Sequence, residues 1–155
     1  MKILKKLLLV LLLIFVVAQF FGPEKNEGDL VTLNAFYEET NPSDNVKFIL
    51  KEACLDCHSN VTRYPWYSKI TPVNYWMAEH VNNGKRHFNV SNWDTLSVKR
   101  KDHKFEELIE MVEDKEMPLE SYTWGHPEAK LTDTQIKDLI DWAKQVRQSY
   151  AVESH

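Results

Sequence analysis

The chain is poor in cysteine. Only two occur in 155 residues, which excludes a disulfide-stapled scaffold and a four-cysteine zinc site. A second metal-binding pair is missing too, because no two histidines stand at the H-x3-5-H spacing that a Cys2His2 site needs; His80 and His87 are seven apart. Alternating strand patterns are scarce, so the βαβ setting of a thioredoxin-like thiol pair is absent. There is no internal repeat and no low-complexity run. Basic residues are in deficit beyond the N-terminus. Setting aside Lys2, Lys5 and Lys6 leaves 16 basic residues against 23 acidic ones, a net of −7, which argues against nucleic-acid binding.

The two cysteines are placed together, in Cys54-Leu55-Asp56-Cys57-His58. This is a C-x-x-C-H, the attachment pattern of a c-type haem. With this composition, chance produces it only about 5 times in 10,000. On a helical turn, positions i, i+3 and i+4 share one face. Cys54 and Cys57 can then form thioethers to one covalently held haem c, with His58 as an axial ligand of its iron. Thiol redox chemistry and zinc are the rivals, and the missing contexts above count against both.

The N-terminus agrees with that chemistry, which belongs outside the cytoplasm. Lys2, Lys5 and Lys6 precede an apolar run from Leu7 to Phe21 broken only by Gln19, the form of an export signal. No small-x-small cleavage site follows, and no cysteine stands just after the run. Residues 1–22 are therefore expected to act as an uncleaved membrane-spanning anchor, with the rest in the periplasm; a removed signal peptide is the alternative. Residues 23–42 carry few apolar anchors and read as a tether. Residues 43–155 are long enough for one domain with its own core.

Helix signals dominate that domain. Ser43 or Asp44 can cap a helix bearing Val46, Ile49, Leu50 and Ala53 that delivers the chain into Cys54. Pro72 opens a second, with Trp76, Met77, His80 and Val81 on one side and Gly84 at its end. A third starts near Lys104, carries Phe105, Leu108, Ile109 and Val112, and cannot pass Pro118. Thr132 and Gln135 form a capping box before Ile136, Leu139, Ile140, Ala143 and Val146. The expected fold is all-α and cytochrome c-like, with loops at 59–71, 85–103 and 117–131.

A thioether on the distal side would raise the potential of the haem. Met117 is the candidate, since Pro118 pushes it out of helical geometry at a helix exit; Met77 and Met111 lie on apolar stripes. His80, His87, His103 and His126 compete for the same role. Tyr64, Trp66, Tyr67, Tyr75 and Trp76 can wall a haem and exclude water. Arg63, Lys85 and Arg86 are candidates to pair with a propionate, although solvated charge is their ordinary state.

At this point the residues resemble a family. Cys54-Leu-Asp-Cys-His-Ser-Asn with Thr-Arg-Tyr-Pro-Trp-Tyr-Ser at 62–68 is similar to the bacterial haem-binding domain proteins, a c-type cytochrome-like family. Gly84-Lys-Arg-His-Phe-Asn, Glu116-Met-Pro-Leu and His126-Pro-Glu-Ala-Lys-Leu extend the match. The resemblance implies one covalent haem, an exported domain and Met117 as distal ligand. The expected function is one-electron transfer to a redox partner protein or respiratory complex, without turnover of its own. A haem-based sensor, a peroxide-handling protein with a displaceable distal ligand, and a non-catalytic haem subunit are the alternatives.

Overall fold

The computed structural model describes residues 2–153. Met1, Ser154 and His155, the outermost residues of the expected anchor and domain, lie outside them. Eight α-helices follow in order: α1 Lys2–Ala18, α2 Asn34–Thr40, α3 Asp44–Ala53, α4 Leu55–His58, α5 Val73–His87, α6 Val98–Glu113, α7 Glu120–Thr123 and α8 Asp133–Glu153. Short 3-10 turns occupy Leu30–Leu33, Trp66–Lys69, Val90–Thr95 and Pro127–Ala129. The fold is all-α. Among the described residues the only β pairing is a single bridge between Glu27 and Val61.

Two helix starts follow from side-chain caps. Ser43 Oγ accepts from the Val46 amide at 3.3 Å, and α3 then buries Val46, Ile49, Leu50 and Ala53. Thr132 and Gln135 close their capping box reciprocally: Gln135 N donates to Thr132 Oγ1 and Thr132 N to Gln135 Oε1 at 2.9 Å. α8 then buries Leu139, Ile140, Ala143 and Val146, with Trp142 and Tyr150 beside them. α6 packs along α8 through Phe105 and Val112, and Arg147 on α8 grips Asp102 on α6 at 2.7 Å.

The core is aromatic, and its centre comes from the stretch expected to be a tether. Phe36 is fully buried and meets Trp93, Phe105, Trp142 and Phe88 with ring centroids 5.0–6.3 Å apart. Leu33 is buried beside it, and the Thr40 carbonyl accepts from Trp142 Nε1 at 2.9 Å. Residues 26–28 are pinned as well, since Thr62 N donates to Asn26 O and Gly28 N to Asn60 O. Contacts with these four large aromatics bring Phe36 into the core despite the polar composition of 23–42. Phe36→Ala should cost about 3–5 kcal/mol, read as a lowered denaturant midpoint.

Two further expectations change. Gly84 does not end α5, which runs on to His87. Its missing side chain serves close packing instead: a Cβ there would stand 2.6 Å from the Cys57 carbonyl. The apolar stripe of α5 is also not core, because only Val81 is buried and Trp76 is 47% exposed.

The spanning anchor is not found. α1 is 17 residues long, and at ~1.5 Å per residue this falls short of the ~30 Å hydrocarbon core. Among the described residues no helix is long and apolar enough to cross a membrane. None of α1 is buried, and its leucines, isoleucines and valines face outward on all sides.

Candidate functional site

The C-x-x-C-H occupies the single turn of α4. Cys54 stands at its N-cap position and packs, half-buried, against the core near Tyr37. Cys57 faces the passing Gly84 of α5. The two thiols are not joined. Burial, with each other's charge or that of Asp56 adding to it, raises Cys54 to about 12 and Cys57 to about 11. Both stay protonated at neutral pH, the reverse of what a thiolate redox pair requires. Among the described residues no cluster of His, Cys, Asp and Glu forms a direct metal site.

His58 is held by backbone. Its Nδ1 lies 2.9 Å from the Phe88 carbonyl. A carbonyl only accepts, so Nδ1 carries the proton and Nε2 keeps its lone pair. Burial lowers the pKa of the ring, against the opposing pull of the Phe88 and Gly84 carbonyls. The result is a neutral imidazole with a fixed tautomer, the form an iron ligand takes.

Cys57 lines a narrow cleft between α5 and the segment 119–126. Tyr67, Trp76 and His126 line it, together with His80 and Tyr122. His126 stacks on Tyr122 at 4.4 Å and 15°. Its Nδ1 donates to Glu128 at 3.1 Å, and its Nε2 accepts from the Tyr67 hydroxyl at 2.8 Å. Trp66, edge-on to Tyr67, and Trp124, two residues from His126, are each 76% exposed. Of the five tryptophans, Trp76 lines the cleft, while Trp93 and Trp142 fill the core.

Other expected residues stand elsewhere. Tyr64 accepts from the Asn26 amide at 2.7 Å and lines a different cleft at the foot of α1. His87 is exposed at the end of α5, its Nδ1 tied to the Asn83 carbonyl, and does not line the Cys57 cleft. Met117 is half-buried beyond the end of α6, where Lys115 turns left-handed and Met117 N donates to Met111 O at 3.0 Å. It does not line the Cys57 cleft either. Arg63 is not a free cation for a propionate, since Asp56, Glu52 and the Lys51 carbonyl hold it. Lys85 is likewise committed to Asn26 Oδ1 at 2.5 Å. Arg86 makes only an exposed contact with Asn83.

The residue that sequence reasoning passed over is Asp56, inside the motif itself. It is 5% exposed and accepts from Arg63 N, Nε and Nη2 at 3.0–3.2 Å and from Tyr122 OH at 2.7 Å. Burial, then Asp56, raises the pKa of Tyr122, so its phenol remains a donor. Asp56 therefore latches both loops that flank Cys57. A carboxylate between the cysteines with an arginine seven residues on was the available signal.

The residues fit a covalently held haem. Two protonated thiols stand one turn apart, and the His58 imidazole offers a lone pair. No curated protein and no solved structure matches the chain. Residues 13–145 match the family described as the haem-binding domain, and the chain belongs to that family.

Proposed function

We propose that this protein is an exported, membrane-tethered monohaem c-type cytochrome that carries single electrons on the periplasmic side of the inner membrane. Cys54 and Cys57 would bear the thioethers to haem c, and His58 Nε2 would take the iron. When bound, the haem supplies a one-electron redox centre. Cys57, Tyr67, Trp76 and His126 would wall it, and Trp66 and Trp124 would exclude water at its edge. α1 would hold the domain at the lipid surface without spanning the bilayer. A redox partner protein or a respiratory complex would exchange electrons with it.

The observation that carries this reading is the tautomer of His58. A backbone carbonyl fixes Nδ1–H and leaves Nε2 free, within one turn of two unpaired thiols. The test is the pyridine haemochrome spectrum of full-length protein produced with a haem-attachment system. A c-type spectrum surviving acid–acetone extraction is expected; an extractable or absent haem overturns the proposal.

Met117 is proposed as the distal ligand. Met117→Ala should then lower the reduction potential and let the reduced protein bind carbon monoxide. An unchanged spectrum and potential remove Met117 from the site. A second reading is favoured by one observation: His80 and His126 line the Cys57 cleft and Met117 does not. In that reading the distal side is displaceable, as in a sensor or a peroxide-handling protein, and the wild-type reduced form binds carbon monoxide at once.

A further inference from the structure

A second cleft lies where the foot of α1 meets the domain. Phe20 and Phe21 line it from the N-terminal side, and Tyr64, Lys69, Asn74 and Met77 from the domain. The two sides are latched together. Gln19 pairs its whole side-chain amide with the backbone of Thr71: Nε2 donates to Thr71 O at 3.2 Å and Oε1 accepts from Thr71 N at 3.0 Å. Thr71 Oγ1 donates to the Phe21 carbonyl at 3.2 Å. Gly22 lies so close to Asn74 that a Cβ would stand 3.2 Å from its Nδ2. Tyr64, fixed by the Asn26 amide, closes the other end. These latches hold the two sides of the cleft in place.

Three features point to one ligand class. The cleft opens directly beyond a helix that is apolar on every side, so its occupant can arrive from lipid. Its walls are aromatic rings and a thioether, which suit a flat apolar ring. Its polar equipment suits a neutral oxygen. The Lys69 ammonium makes no hydrogen bond or ion pair with another described residue. Lys25 is committed to Glu27 at 3.0 Å, and Glu24 also lines the cleft. One free donor beside a carboxylate fits a carbonyl or phenol better than a lipid phosphate. Met77 lines both this cleft and the one that Cys57 lines, so an occupant stands one side chain from the proposed haem pocket.

We propose that the junction cleft binds the headgroup of a membrane quinone, with an oxygen on Lys69 and the isoprenoid tail along α1. This rests on the reading of α1 as a segment held at the lipid surface. The test is calorimetric titration of full-length, haem-bearing protein in detergent micelles with a decyl-tailed benzoquinone. Saturable binding of one quinone per chain is expected. Lys69→Met should weaken it about tenfold, the worth of one hydrogen bond, and Ala78→Phe, which fills the cleft, should weaken it at least as much. The haem spectrum of each variant, unchanged from wild type, shows that the domain is intact. Uptake that never saturates, or saturates equally in wild type and both variants, reflects partition into micelles and overturns the proposal. Binding of a short-chain phosphatidylglycerol in place of the quinone also overturns it. Failure of the underlying reading shows separately, as haem-bearing protein that does not sediment with membranes.

Discussion

Replacing both Cys54 and Cys57 with serine should abolish haem retention after denaturation, and each single replacement should leave haem held by one thioether at reduced yield. The argument is chemical. A serine hydroxyl does not add to a vinyl group under the conditions in which a thiol does, while its size keeps α4 in place. The thiols are the only two in the chain, so no other side chain can substitute. Their environment serves attachment and little else. Burial raises both thiols far above neutral pH, which blunts disulfide exchange and soft-metal binding through thiolate. Cys54 packs on the core near Tyr37, so its serine variant should lose some stability as well; circular dichroism separates that loss from the loss of haem. Retention of haem by the double variant on a denaturing gel would show that attachment runs through another group.

The second large effect is expected at Asp56. Its carboxylate collects four hydrogen bonds in a nearly closed environment. Asp56→Ala strands the Arg63 amide and guanidinium edge and the Tyr122 hydroxyl. Breaking a fully buried pair costs about 3–5 kcal/mol. The Arg63 side chain is 42% exposed and keeps Glu52, so a loss of roughly 2–3 kcal/mol is the better figure. For a chain of this size that lowers Tm by roughly 5–10 °C. Asp56→Asn keeps an acceptor for Tyr122 and should lose about half as much. The same substitution has a local signature. Tyr122 stacks on His126, which accepts from Tyr67, so unlatching Asp56 releases one wall of the Cys57 cleft. A shifted haem absorbance accompanying the lost stability is expected; an Asp56→Ala protein with wild-type Tm would remove the latch from the account.

What the sequence made legible was local. The Ser43 cap, the Thr132–Gln135 box and the apolar faces of α3 and α8 are each written in residues a few positions apart, and each stands in the structure as read. What it hid was long-range. Phe36 sits in a polar stretch whose own pattern shows no helix face, and only its encounter with Trp93, Phe105 and Trp142 makes it the centre of the core. Gly84 carries the same letter whether it stops a helix or lets another backbone approach, and here the neighbour is Cys57, 27 residues earlier. Trp76 and Val81 are five residues apart, so they stand on different sides of α5; Val81 is buried, while Trp76 lines the cleft half-exposed. The apolar run at the N-terminus was short for a span in sequence unless Ile3 and Leu4 extended it, and its helix stops at Ala18, where Gln19 turns to Thr71. The role of Asp56 depends on Arg63 and Tyr122 meeting it from two separate loops.

The intact mass of the full-length protein, exported in cells with haem-attachment machinery, tests the central claim most directly. The account predicts one species heavier by one haem, with the added mass carried on the peptide that contains Cys54 and Cys57. A chain of unmodified mass, exported and folded with both thiols free to alkylation after unfolding, would contradict it.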